Sequence, residues 1–214
     1  MKASLRVFFK LLYHQFAFAY DLVAAAVSFN RWKDWVVEVV PFIEGTRILE
    51  IGHGPGHLQR ILLSRNLVAV GIDESSQMGL LGRHNTRGVA RLTRGLAQHL
   101  PFRSESFDSI VSTFPSEYIF DDRTLAEVKR CLSDGGRFVV LPIALPKNRF
   151  LDWLFKVTGE APSEAMDVMK SKLTEPFVKA GFETEVRTLD VGSSLLLVVV
   201  AKKNSRSRKS IGTM

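Results

Sequence analysis

One cysteine in 214 residues leaves nothing from which to build a disulfide framework, and such scarcity suits a reducing cytoplasm. Cys131 itself sits in an apolar helical pattern just before "SDGG", where a small core residue is the expected role. Long hydrophobic runs are also missing. Lys10, His14 and Asp21 break the early apolar stretch, and "LLLVVVA" falls far short of the ~20 residues that a membrane span needs. The same interruptions spoil a signal-peptide reading of "KLLYHQFAFAYDLVAAAVS", so a cytoplasmic location is expected. No internal repeat is visible, and no metal site is expected. Acidic residues are missing from both ends: Lys202, Lys203, Arg206, Arg208 and Lys209 follow the last acid, Asp190, while Lys2, Arg6 and Lys10 precede the first. These cations dominate the formal net charge of +7 and leave residues 11 to 201 at −1. A nearly neutral body argues against nucleic acid, which demands a basic face on the domain itself. The basic end "KKNSRSRKSIGTM" reads as a solvated tail.

What is present suits one globular domain. Hydrophobic residues make up 46% and charged ones 24%, enough apolar material to bury a core. The first forty residues read as a helical arm, with Leu5, Phe8, Leu11, Leu12, Phe16 and Ala19 at three- and four-residue steps. A second helical run, "RWKDWVVEVVPF", stops near Pro41. Strands and helices then alternate: "TRILEI", "LVAVGID", "GVARLTRG", "FDSIVSTF" and "GRFVVLP" as strands, "HLQRILLSR", "SSQMGLLGRHN" and "DRTLAEVKRCL" as helices. Apolar strands alternating with amphipathic helices imply a parallel sheet covered on both faces. Two more helices, "RFLDWLFKVTG" and "EAMDVMKSKLTEPFVKAG", precede "FETEVRTLDVGSSLLLVVVAKK", two strands joined at Asp190, Val191 and Gly192. The expected fold is α/β: a Rossmann-like, doubly wound, mostly parallel seven-stranded sheet ending in an antiparallel hairpin, with an N-terminal helical arm. The expected divisions are an arm or lid at 1–40, a main domain at 41–202 and a basic tail at 203–214.

The stretch "LEIGHGPGHL" places Gly52, Gly54 and Gly56 between the first strand and its helix. In an open parallel sheet, ligands bind outside the carboxyl ends of the strands, so this turn lies at the binding edge. Glycines there allow a tight turn and a close approach of main-chain amides. The order is G-x-G-x-G, and His57 stands where a dinucleotide turn has its third glycine. Glu50, just before the loop, is a poor neighbour for a pyrophosphate but tolerates an ammonium and a sulfonium. Asp73 closes the second strand in "VGIDES", placed to accept hydrogen bonds from two ribose hydroxyls.

With these residues in view, "RILEIGHGPGHL", "VGIDES", "GLAQHLPFRSESFDSIVSTF" and "LAEVKRCLSDGGRFVVL" resemble, in that order, the successive motifs of class I S-adenosylmethionine-dependent methyltransferases. The nearest likeness is to the small-molecule group called type 11, which includes quinone-biosynthesis enzymes. The likeness runs from about residue 16 to 145, and "FAFAYDLVAAAVSFNRWKDW" is similar, more loosely, to the lead-in of the quinone methyltransferases. The resemblance implies S-adenosylmethionine as cofactor. It implies that Glu50, Gly52, His53, Gly54 and Gly56 surround the methionyl part, that Asp73 takes the ribose hydroxyls, and that Ser75 or Met78 lines the adenine side. Ala97 and Gln98 then fall at the adenine edge, Thr113 and Phe114 beside the methyl group, and Tyr20 at a lead-in position that approaches the cofactor. One departure stands out: relatives carry an acid before the alanine, and this chain has Leu96 in "GLAQHLPF".

Methyl transfer is an in-line displacement that needs alignment first, and a base only if the acceptor must lose a proton. Candidates near the expected methyl position are His53, His57, Glu117 and Tyr118, the last at a position where relatives often have histidine. Phe8, Phe9, Phe16, Phe18, Tyr20, Phe29, Trp32 and Trp35 enrich the arm in aromatics, and Phe150, Trp153 and Phe155 follow the fifth strand. These favour a small lipophilic or aromatic acceptor, with a peripheral membrane contact through the arm as a further expectation. RNA or protein methylation, or a non-catalytic cofactor-binding domain, are the alternatives.

Overall fold

The computed structural model describes residues 32–147, 162–192 and 194–205. Among these, the helices are α1 (Trp32–Val37), α2 (His57–Ser64), α3 (Ser76–Asn85), α4 (Asp122–Cys131) and α5 (Pro162–Lys179). The strands are β1 (Arg47–Ile51), β2 (Val68–Asp73), β3 (Arg91–Arg94), β4 (Phe107–Thr113), β5 (Leu132–Pro146), β6 (Phe182–Val191) and β7 (Ser194–Lys203). They form one seven-stranded sheet in the order β3-β2-β1-β4-β5-β7-β6. The first five strands run parallel, while β7 is antiparallel to both β5 and β6. The chain reverses its direction of travel across the sheet between β1 and β4, the switch point at which a doubly wound fold opens a crevice. The expected fold class is what is found.

β1 lies inside the sheet, beside the central β4, and packs apolar side chains on both faces. Ile48 joins a core with Leu58, Leu62 and Val111 on one face, and Leu49 and Ile51 join Leu125, Phe138 and Phe177 on the other. Trp35, Val36, Val39 and Val40 are buried in the first of these cores, although they fall within the segment expected to be an arm. The helix expected over 31–42 is in fact two pieces: α1 ends at Val37, and Pro41 sits in a short 3-10 turn, Val40–Phe42, where its missing N–H costs nothing. Residues 1–31, the helix expected over 149–159 and the tail from residue 206 lie outside the described residues. No described helix is long and apolar enough to cross a membrane.

Two irregularities lengthen β5 beyond the expected "GRFVVLP". Phe107 pairs with Leu132 but Ser109 with Arg137, so "SDGG" loops out opposite Asp108. A Cβ on Gly136 would lie 2.9 Å from the Asp108 carbonyl oxygen, so glycine is required there. Further on, Leu141 and Pro142 face Val198 alone, a bulge that accepts a proline with no N–H to give. The hairpin is also tighter than expected: Asp190 and Val191 belong to β6, and Val191 pairs directly with Ser194.

Candidate active site

The loops leaving β1 and β2 are pinned to one another. The Gly52 N–H donates to the Ile72 carbonyl at 2.8 Å, which turns the chain out of the sheet with Gly52 at φ 72°. The Gly54 N–H donates to Asp73 Oδ2 at 2.9 Å, and the Ser75 N–H to Asp73 Oδ1 at 2.8 Å. One carboxylate therefore organises both loops. Beside it opens a cleft of about 540 Å³, with Gly52, Asp73, Ser75, Ala97, Gln98 and Tyr118 in its wall. All six are residues that the sequence singled out. Leu96, in the place of the acid that relatives carry, also lines the cleft and is largely exposed. Arg94 and Ser116 line it too and were not foreseen; Arg94 is paired with Asp73 across the β2–β3 ladder, a neighbour that strand register alone would have supplied.

Tyr118 comes from the 3-10 turn Glu117–Phe120 behind β4. Its hydroxyl lies so close over the loop that a Cβ on Gly52 would stand 2.5 Å from it. Burial pushes the phenol up to about 12, with Asp73 and Glu50 adding to the shift and Ser112 opposing it. Tyr118 is thus a proton-bearing donor near neutral pH and a poor base. Glu50 is buried, and Gln59 Nε2 on α2 donates to its Oε2 at 2.8 Å. Burial raises its carboxyl to about 8; the Gln59 hydrogen bond pulls the other way and the charge of Asp73 adds to the rise. The Gln59 side-chain oxygen has no partner among the described residues, so this polar pair under the loop is only partly satisfied.

Other expected site residues stand away from the cleft wall. His53 is buried, with its ring between two bare backbones: a Cβ on Gly71 or Gly82 would come within 3.2 Å of its side chain. Its Nδ1–H donates to the Gly54 carbonyl at 2.8 Å, so the ring braces the loop from behind. Gly56 is where α2 meets α3, since a Cβ there would press on Gly82 Cα and Thr86 Cγ2, each at 3.3 Å. Met78 is exposed in the first turn of α3, its N–H donating to the capping Ser75 hydroxyl at 3.3 Å. Thr113 is half-buried at the end of β4. Phe114 follows it at φ 50°, a left-handed position, with its ring 6.0 Å from that of Trp35. Glu117 is exposed, and His57 is the first residue of α2. Tyr20 lies outside the described residues.

Comparison with known proteins agrees with this geometry. A family profile described as "Methyltransferase domain" matches residues 49–140, from β1 through β5. The chain is 30% identical over 190 residues to a demethylmenaquinone methyltransferase of Symbiobacterium thermophilum, covering 82% of this chain and 72% of that one. It is 29% identical over 148 residues to the ubiquinone/menaquinone biosynthesis C-methyltransferase UbiE of Geobacter sulfurreducens, where the match takes in 64% of this chain and 58% of the relative. Among solved structures, a SAM-dependent methyltransferase of Thermotoga maritima, described as a possible histamine N-methyltransferase, superposes with a TM-score of 0.57. Its identity is 22%, and the match covers 90% of this chain and 100% of that one, which is a likeness of fold.

Proposed function

The chain belongs to the class I S-adenosylmethionine-dependent methyltransferases of the type 11 group, and from that premise we propose that it moves a methyl group from S-adenosylmethionine to a small lipophilic acceptor. The observation that carries the reading is the Asp73 carboxylate in the cleft wall, tied to Gly54 and Ser75 beside a Gly52 that has no room for a side chain. The residues fit the cofactor. Asp73 is the acceptor for ribose hydroxyls, Ala97 and Gln98 border the place for the base, and Gly52 leaves main chain open to the methionyl part. When bound, S-adenosylmethionine supplies an electrophilic methyl on a sulfonium. Everything else falls to alignment, which for well-oriented groups is worth about 7–11 kcal/mol. Tyr118 contributes a hydrogen-bond donor over Gly52, and the exposed Glu117, next to it in the chain, is the candidate base where an acceptor must lose a proton. The quinone-type substrates named for the relatives support a lipophilic acceptor, as do the aromatics of the arm and of the insert after β5.

Two measurements test this. Calorimetry with S-adenosylmethionine should show binding that Asp73→Ala weakens roughly 10- to 150-fold, the worth of about 1.5–3 kcal/mol for hydrogen bonds to a charged group. Unchanged affinity would remove Asp73 from the site. Transfer of radiolabelled methyl should then appear in a lipid extract and not in RNA or protein fractions; label in either of those would move the acceptor to another class.

A further inference from the structure

The near-neutral charge of the body hides a lopsided edge. Residues 51 to 104 contain seven arginines and no lysine, and four of the seven, Arg83, Arg87, Arg91 and Arg94, lie on α3, β3 and the turn between them; the two acids of this stretch, Asp73 and Glu74, line the cleft. Arg83, Arg87 and Arg91 are exposed, and none is paired with an acid among the described residues. Apolar side chains stand out from the same edge. Of the eight large hydrophobic residues exposed among the described residues, six lie here: Val68, Met78, Leu80, Leu81, Val89 and Leu96. Leu80 and Val89 are the most open, at 71% and 67%, and none of the six is aromatic.

Backbone geometry gathers these residues. Leu80, Arg83 and His84 are one helical turn apart and all exposed on α3. Past the helix end, the Gly88 N–H donates to the Arg83 carbonyl and the Arg87 N–H to the His84 carbonyl, at 2.8 and 3.1 Å. This closing motif puts Arg87 at φ 53°, a left-handed position that glycine ordinarily fills. α2 ends the same way with Asn66 at φ 58°, a residue that tolerates the conformation. An arginine there is held against its backbone preference, at the tip of the edge. The β2–β3 register sets Arg91 opposite Val70, so Val68 and Val89, each two residues earlier, share the corner at the amino ends of the two strands.

We propose that the α3–β3 edge docks on the surface of an anionic lipid bilayer. Arginine forks suit phosphate oxygens, and Leu80 and Val89 would enter the boundary between headgroups and acyl chains. Nucleic acid is the weaker partner because the edge has no exposed aromatic on which a base stacks. A second copy would set the arginines against one another. Arg94 and Leu96, at the opposite, carboxyl end of β3, line the cleft. The surface is independent of what occupies the cleft.

Sedimentation with vesicles tests the proposal on the full chain. Vesicles of phosphatidylcholine with about a third phosphatidylglycerol should bind it in a salt-sensitive manner, and phosphatidylcholine alone should not. Arg83→Gln, Arg87→Gln and Arg91→Gln together should weaken binding on the order of 100-fold, about fivefold for each arginine. Leu80→Ser with Val89→Ser should weaken it about tenfold at fixed charge. Neither set should change S-adenosylmethionine affinity. Arg87→Gly separates docking from folding, since it should raise the thermal midpoint by relieving the backbone while weakening vesicle binding about fivefold. Three results would overturn the proposal: indifference of the wild type to anionic vesicles, full binding by the triple variant, which would place the contact on the basic ends, or displacement of the vesicles by a single-stranded RNA that binds more tightly.

Discussion

Glu50 and Gly52 show how much of the site rests on single side chains, or on the absence of one. Glu50 is protonated in both states below about pH 4.5, and above that the unfolded chain loses its proton while the folded one keeps it up to about pH 8. Folding therefore takes up a proton across this window, and the stability that Glu50 lends is lost as pH rises through it. Glu50→Gln keeps the shape and the acceptor for Gln59 but has no proton to lose. The variant should gain on the wild type between pH 5 and pH 8, on the order of 3 kcal/mol by the usual linkage per unit of pH. Urea unfolding at the two pH values measures this; parallel behaviour would mean that Glu50 is ionised in the folded protein. Gly52 is sensitive for a different reason. Its φ of 72° strains any other residue, and a methyl group there would displace the Tyr118 hydroxyl. Gly52→Ala should cost about 1–3 kcal/mol and disturb the cleft. At Gly54 a Cβ meets nothing within 4 Å, so Gly54→Ala should cost the fold only the roughly 1–2 kcal/mol of holding alanine at φ 49°. A larger effect of Gly54→Ala on S-adenosylmethionine affinity than on thermal stability would mark it as the open side of the cradle.

Between elements, contact is decided by residues that have no functional look. Gly56, which the resemblance implies beside the methionyl part, is also the point where the start of α2 touches Gly82 and Thr86. Gly56→Ala should lower stability by about 1–3 kcal/mol, since φ is 79° and both neighbours must give way. Its effect on ligand affinity should be smaller than that of Gly52→Ala; the reverse order would make the cofactor contact its main role. The strands, the switch in their order and Asp73 at the end of β2 were legible in the sequence, because buried parallel strands announce themselves as apolar runs and the binding edge follows from topology. The face to which each loop residue turns was not. His53 packs on Gly71 and Gly82, and those two glycines lie 18 and 29 residues away in sequence, out of reach of local reading. Nor does periodicity carry the "SDGG" bulge in β5, because a loop-out is fixed by the partner strand: Asp108, opposite the bulge, accepts hydrogen bonds from the Thr46 and Arg47 N–H groups of the β1 entrance at 3.0 Å each.

For the whole molecule, the position at which an arm ends and the domain begins has a measurable consequence. The sequence suggested a boundary at residue 40, but Trp35, Val36, Val39 and Val40 are buried against Leu58, Leu62 and Val111, on the same face as β1. At about 1.5–3 kcal/mol for each large side chain taken out of water, these four are worth as much as the whole margin by which an ordinary domain is stable. Removal of residues 1–40 should therefore leave a chain that does not fold cooperatively, whereas removal of 1–31 spares all four and should leave a cooperative transition. The shorter deletion also isolates the function proposed for the arm. If the arm covers the acceptor side and excludes water from the transferring methyl, the chain lacking 1–31 should bind S-adenosylmethionine within a few-fold of the full chain and yet transfer no methyl. Thermal unfolding, calorimetry and transfer assays on the two deletions read these outcomes separately. A folded chain without residues 1–40 would return those side chains to the arm; lost cofactor affinity without 1–31 would make the arm part of the cofactor site, and full transfer would end its role as a lid.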